Sequence, residues 1–189
     1  GDMARRRQEI IRQLKAEGVF DLNRELPLPL FTQRIAVISS STAAGYGDFC
    51  RQLEENTRGF RFSVTLYESL MQGEGVERSI ISALDKINAH IDDYDCVVII
   101  RGGGATSDMS GFDSLQLAEN VANFPLPIIT GIGHDRDECI LDMVSHTRVK
   151  TPTAAAALLI DRLAAVSNRI ESAAERISSY IQQRMTKEK

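Results

Sequence analysis

DCVVIIRGGGAT, residues 95–106, runs a continuous β-branched stretch, Val97 to Ile100, into an arginine and three glycines. An unbroken apolar run suits a central parallel strand with a helix on each face, because a strand open to water on one side alternates instead. Gly102, Gly103 and Gly104 carry no Cβ, so backbone N–H groups can approach an anion and positive φ costs little. Arg101 adds a permanent charge whose forked donors fit phosphate. A plain strand-to-helix turn with an exposed arginine accounts equally well for these residues, since a short glycine run is a weak motif. The surrounding chain has to decide.

On either side the same unit repeats. Arg34–Ser39 (RIAVIS) reads as a first strand, and SSSTAAGYG leads into a helix from about Asp48 through Leu53. A second strand spans Phe60–Leu66; after ESLMQGEG comes a helix from about Val76 to Ile91 with Ile80, Ile81, Leu84 and Ile87 at helical spacing. Beyond the glycines, Phe112–Ala122 is helical and Leu126–Thr130 is a fourth strand ending in GIGHDRDE. Repeated β-α units predict an α/β fold: an open parallel sheet of about four or more strands with flanking helices and right-handed crossovers. In such a sheet the loops SSSTAAG, QGEG, RGGGAT and GIGHD lie along one edge, where ligands of open α/β sheets bind. Asp48, Glu74, Arg101, His134 and Asp137 therefore converge although they are far apart in the chain.

The ends differ in kind. Residues 4–17 form a helix with Ile10, Ile11 and Leu14 on one side and Gly18 as its stop. Pro27 and Pro29 in ELPLPLF mark a linker. Near the other end Thr153 caps a long helix, along which Leu159, Leu163, Val166, Ile170, Ala173, Ile177 and Tyr180 form a heptad seam. That helix is too long to pack wholly on a small sheet, so it should pair with another helix or continue; folding back as an amphipathic helix is the plainer alternative. The expected division is 1–29, N-terminal helix and linker; 30–152, α/β domain; 153–189, a long helix opening a coiled-coil region.

Composition narrows the class. The chain has 189 residues, 43% hydrophobic and 25% charged, which suits one globular domain with an appendage. No apolar run reaches the length of a membrane span and GDMARRRQEIIRQ has no signal-peptide core, so a cytoplasmic, non-membrane protein is expected. Gly1 and Asp2 ahead of Met3 read as an expression remnant. Cys50, Cys96 and Cys139 are odd in number and sit among apolar residues, so they read as small core residues rather than a disulfide or zinc framework. A net charge of −4 argues against a globally basic nucleic-acid binder but leaves room for a local site.

Each residue at that edge has a plain reading beside a chemical one. His134 in GIGHDRD can act as acid or base near neutral pH, and Asp137, three positions on, could hold its tautomer or bind a metal. Most lone loop histidines do neither; the company of Arg101 raises the chemical reading. His90 and His146 lack such company, and His90 should be exposed at a helix end. Arg101 would clamp a phosphate and stabilise developing charge, with the glycine N–H groups beside it. Asp48 in the first turn of its helix is favoured by the helix dipole without any function. Ser39, Ser40, Ser41 and Thr42 could bind phosphate, although polar residues before a helix are ordinary capping chemistry. No Walker pattern, no complete GxGxxG and no nucleophile elbow is present.

Taken together, PLPLFTQRIAVISSSTAA, QGEG, VIIRGGGATSD, PIITGIGHDRD and TPTAAAALL resemble the central catalytic domain of the exodeoxyribonuclease VII large subunit over nearly all of residues 18–165. The resemblance implies a bacterial nuclease that cuts single-stranded DNA from either end to oligonucleotides and works with multiple copies of a small helical subunit. By motif it implies catalytic roles for Asp48, Arg101, His134 and Asp137; the loop residues Ser40, Ser41, Thr42, Gly102, Gly103, Gly104 and Glu74 are the expected substrate contacts beside them. Family members carry an OB-fold domain before this region and a long coiled coil after it, through which the C-terminal helix could also self-associate. No metal ligand set is assigned, because the acids are too few for a usual two-metal site; Mg2+ is the one cofactor left open, and some members tolerate chelators. The departures are local. Ala105 stands where serine is usual, Ser107 and Ser110 replace a glutamate and a tryptophan, and Asp135 replaces glutamate, while Asp108 and Phe112 are kept. The rival is a non-catalytic nucleotide- or phosphate-binding module with a helical assembly segment; it would need Arg101 and the glycines but not His134 and Asp137 together.

Overall fold

The computed structural model describes residues 1–102, 109–133 and 138–188. In chain order the elements are α1 (Asp2–Ala16), α2 (Leu22–Glu25), β1 (Arg34–Ser39), α3 (Ala44–Glu54), β2 (Ser63–Glu68), α4 (Val76–Asn88), β3 (Cys96–Ile100), α5 (Leu115–Ala122), β4 (Ile128–Gly131), α6 (Ile140–Val144), β5 (Thr147–Arg148) and α7 (Pro152–Lys187). Short 3-10 turns lie at Ile91–Asp93 and Ser110–Phe112. The parallel α/β sheet expected from the sequence is present with five strands in the order β2-β1-β3-β4-β5, every neighbour pair parallel.

Strand alternation divides the core into two layers. Ala36, Ile38, Val97, Ile99 and Ile128 face α4, α5 and α6, where Ile80, Leu84, Leu117, Val121 and Leu141 bury against them. Ile35, Val37, Cys96, Val98, Ile100 and Ile129 face α3 and α7, meeting Phe49, Leu53, Ala155 and Leu159. All five residues of β3 are buried, as a run of branched side chains covered on both faces requires. Among the cysteines Cys96 and Cys139 are buried and Cys50 half-buried, and His90 is exposed.

Helix α1 ends in a Schellman turn: Val19 N–H donates to the Leu14 carbonyl (3.1 Å) and Gly18 N–H to Lys15 (3.0 Å), with Gly18 at φ +74. Ile10 and Leu14 bury in the α4/α5 layer. The chain that follows is stitched down by one side chain. Asn23, fully buried, donates to the carbonyls of Phe124 (3.3 Å) and Leu126 (2.9 Å) and accepts from Ile128 N–H (2.9 Å). Replacing Asn23 with Ala strands three buried backbone groups at the start of β4, and we expect a loss of about 3 kcal/mol. Urea unfolding should show it as a lower midpoint at unchanged slope.

Several boundaries move from their sequence-based positions. Strand β2 starts at Ser63 rather than Phe60 because Asn56 closes the turn before it, donating to the Phe60 carbonyl (2.8 Å) and accepting from Phe60 N–H (2.9 Å). Helix α3 starts at Ala44, so Asp48 falls in its second turn, not its first. Helix α4 stops at Asn88, and Ile91–Asp93 is a separate 3-10 turn. The helix expected over Phe112–Ala122 is shorter, with Ser114 accepting from Leu117 N–H (3.2 Å) as the cap of α5. Thr151, not Thr153, caps α7: its hydroxyl accepts from Ala154 N–H (3.0 Å), with Pro152 in the first helical turn. Helices α2 and α6 and the two-residue β5 were not expected.

The heptad seam divides. Leu159, Leu163 and Val166 are buried, whereas Ile170, Ile177 and Tyr180 are more than half exposed. Helix α7 thus begins as a layer of the domain over α3 and ends as a free arm. Among the described residues no helix is long and apolar enough to cross a membrane.

Candidate active site

The strand order reverses between β1 and β3: the chain leaves β1 toward β2 on one side and returns to β3 on the other. Ligands of open α/β sheets bind at such a reversal, outside the carboxyl ends of the strands. Here two strand ends are tied together, the Ser39 hydroxyl donating to the Ile100 carbonyl across 2.8 Å. Ser40 and Arg101 are the next residue of each strand.

Above this tie the backbones touch. A Cβ on Gly45 would lie 2.7 Å from Gly102 Cα, 2.9 Å from Gly102 N and 2.7 Å from Pro152 Cγ. The first turns of α3 and α7 therefore close on the start of the glycine loop with no room for a methyl group. A Cβ on Gly131 would meet the Thr151 carbonyl at 3.0 Å, and Gly133, at φ +67, approaches the Lys150 carbonyl. Arg101 N–H donates to the Gly131 carbonyl (3.2 Å), joining the ends of β3 and β4.

Arg101 is half-buried, its guanidinium carbon 5.7 Å from the centroid of the Phe112 ring. Burial lowers its pKa, yet a guanidinium stays charged at any physiological pH. The Cys139 thiol on the same side is raised well above its ordinary value by burial and by Asp142. It is therefore a neutral thiol at neutral pH, unsuited to act as a nucleophile.

The other sequence-selected residues occupy distinct places. Ser40 is half-buried and its hydroxyl lies 3.0 Å from that of Thr42; Ser41 and Thr42 are exposed. Asp48 is exposed, accepts from Arg51 at 3.1 Å, and lines a groove between α3 and α7 with Gln52, Thr153 and Ile160. Glu74 is exposed just ahead of α4. That helix start reaches the chain after the glycines: a Cβ on Gly111 would meet Val76 at 3.0 Å, and Ser114 donates to Glu77. Gly103, Gly104, His134 and Asp137 lie outside the described residues. Their flanks are Gly102 and Met109 for one stretch, Gly133 and Glu138 for the other.

Two buried acids near this edge escaped the sequence reading. Asp113 accepts from Arg7 Nε (2.7 Å) and Ile140 N–H (2.8 Å). Asp142 accepts from the Thr130 hydroxyl (2.8 Å) and from Cys139. An acid inside the apolar run CILDMV was a readable sign for Asp142, because a carboxylate flanked by core residues has to be hydrogen-bonded. Asp113 carries no such sign; its partners are distant in sequence. Among the described residues no group of three or more His, Cys, Asp or Glu could hold a metal ion.

A family model described as "Exonuclease VII, large subunit" matches residues 19–189. Proteins named exodeoxyribonuclease 7 large subunit are similar along most of the chain. The one from a Cyanothece species is 40% identical over 164 residues, covering 87% of this chain and 38% of the relative. That from a Nostoc species is 37% identical, covering 89% and 40%, and that from Deinococcus radiodurans 35%, covering 94% and 43%. The chain thus spans about two fifths of the length of these curated relatives.

Proposed function

The chain belongs to the exonuclease VII large-subunit family, and from that premise we propose that it is the nuclease portion of such a subunit, hydrolysing phosphodiester bonds of single-stranded DNA to oligonucleotides. The observation that carries the reading is the sheet edge itself. Arg101 leaves β3 at the strand-order reversal, half-buried on Phe112, where the first turn of α3 packs through Gly45 against Gly102 at the start of the glycine loop. A fixed cation at that position suits a phosphate whose charge grows during reaction.

In this reading His134 activates water or protonates the leaving oxygen, and Asp137 orients its imidazole. Arg101 stabilises the phosphoryl group, and Asp48 assists as base partner or metal ligand. Ser40, Ser41, Thr42, Glu74 and the N–H groups of Gly102, Gly103 and Gly104 contact the strand. Mg2+ is the ion to test. The cytoplasm is the expected compartment. The small subunit, in multiple copies, is the expected partner; the apolar side chains exposed on distal α7, Ile170, Ile177, Tyr180, Ile181 and Met185, support assembly through that helix, self-association included.

The test is cleavage of an end-labelled single strand by the full-length large subunit with its small subunit, native and His134→Ala, with and without EDTA. Cutting by the native protein and none by a folded His134→Ala protein supports the reading, and the EDTA lanes decide the metal. Binding without cutting overturns it in favour of a phosphate-binding module.

A further inference from the structure

Asp113 joins three separate segments beside the site. It follows the 3-10 turn Ser110–Phe112, whose Phe112 carries the Arg101 guanidinium, and it precedes Ser114, the cap of α5. One carboxylate oxygen accepts from Ile140 N–H at 2.8 Å, the first residue of α6, where the chain returns after Glu138 and Cys139. The other accepts from Arg7 Nε at 2.7 Å, on α1. The side chain is almost wholly buried, so its oxygens take these protein donors in place of water.

We infer that Asp113 is a positioning residue for the nuclease site, locking the chain that follows the glycine loop to the chain that follows His134 and Asp137, with Arg7 of α1 as its fixed counter-charge. In sequence, Met109 stands four residues before Asp113, and Glu138 two residues before Ile140. Phe112, the neighbour of Asp113, is the ring on which the Arg101 guanidinium lies, and a misplacement of a reacting group by about 1 Å costs about 100-fold in rate. Arg7 lies before the segment that the family model matches. Helix α1 therefore does more than fill the core with Ile10 and Leu14: it supplies a charge to the base of the site. The inference rests on the nuclease reading above.

The experiment measures kcat and KM for single-strand cleavage by the full-length large subunit with its small subunit, each variant well below its own unfolding temperature. Asp113→Ala should lower kcat about 100-fold with KM near native. Arg7→Ala should lower it less, and adding Asp113→Asn to Arg7→Ala should restore part of the loss. The amide oxygen still accepts from Ile140 N–H, and no buried charge is left unpaired. That rescue is not expected of a side chain that only adds stability, and the double variant keeps the test alive if Asp113→Ala does not fold. Native kcat in Asp113→Ala, or no rescue in the double variant, overturns the inference. If the native protein itself does not cut, the nuclease reading falls. Hydrogen exchange at the Ile140 amide then decides the lock alone: faster exchange in Asp113→Ala but not in the double variant upholds it, and equal protection in all three proteins overturns it.

Discussion

Replacing Arg101 with Ala should slow single-strand cleavage about a thousandfold while leaving the fold intact. In the folded protein the guanidinium stacks over Phe112 at 5.7 Å and lies half out of water at the strand-order reversal. A charge fixed in such a place needs no reorganisation when the phosphoryl group gathers negative charge, and its field is screened less than in bulk solvent. The stability cost is smaller, about 1 kcal/mol for the lost contact with the ring. Arg101→Lys should recover only part of the rate, because an ammonium supplies one point of charge where the guanidinium supplies a planar fork. The measurement is a single-turnover time course with an end-labelled oligonucleotide and the full-length large subunit plus small subunit, alongside thermal unfolding. A folded Arg101→Ala protein that cuts within a few-fold of native would remove Arg101 from the chemistry.

Gly45→Ala should destabilise the domain by about 3 kcal/mol, although in an open helix the same change stabilises by up to about 1 kcal/mol. The added methyl carbon would stand 2.7 Å from Gly102 Cα and 2.7 Å from Pro152 Cγ. Neither neighbour is the free end of a flexible side chain. The first turn of α3 must back away from β3 or from the first turn of α7, opening the layer built on Phe49, Ala155 and Leu159. Gly47 is the internal control: it lies in the same helix with nothing within 4 Å of its added Cβ, so Gly47→Ala should be neutral or stabilising. Denaturant midpoints of the two variants test the contrast. Equal midpoints would mean that the close approach of α3 to the glycine loop is relieved at little cost. Because Gly102 is the neighbour displaced, Gly45→Ala should lower cleavage as well as stability.

How far the chain could be read without its fold follows from the range of the forces involved. The run Val97–Ile100 identified a central strand because burial on both faces demands apolar residues at consecutive positions, and all of β3 is buried. The β-α alternation then carried the parallel sheet and its common loop edge. Gly18 ended α1 as read, since an αL turn is a local property. Local hydrogen bonds without a strong residue signature were harder: Asn56 moved the start of β2 and Thr151 took the cap assigned to Thr153.

What the sequence alone determined is the parallel sheet with helices on both faces, the common edge of its loops and, through the motifs, the family the chain joins. Tertiary structure decided the rest, because it depends on contacts between segments far apart in the chain. Only the fold places Gly45 against Gly102 and Pro152, lays Arg101 on Phe112, and brings Arg7 and Ile140 to the two oxygens of Asp113. It also divides one continuous heptad into a buried half over α3 and an exposed arm, since the sheet ends before the helix does. Periodicity is written in one segment at a time; a close approach is written in none of them.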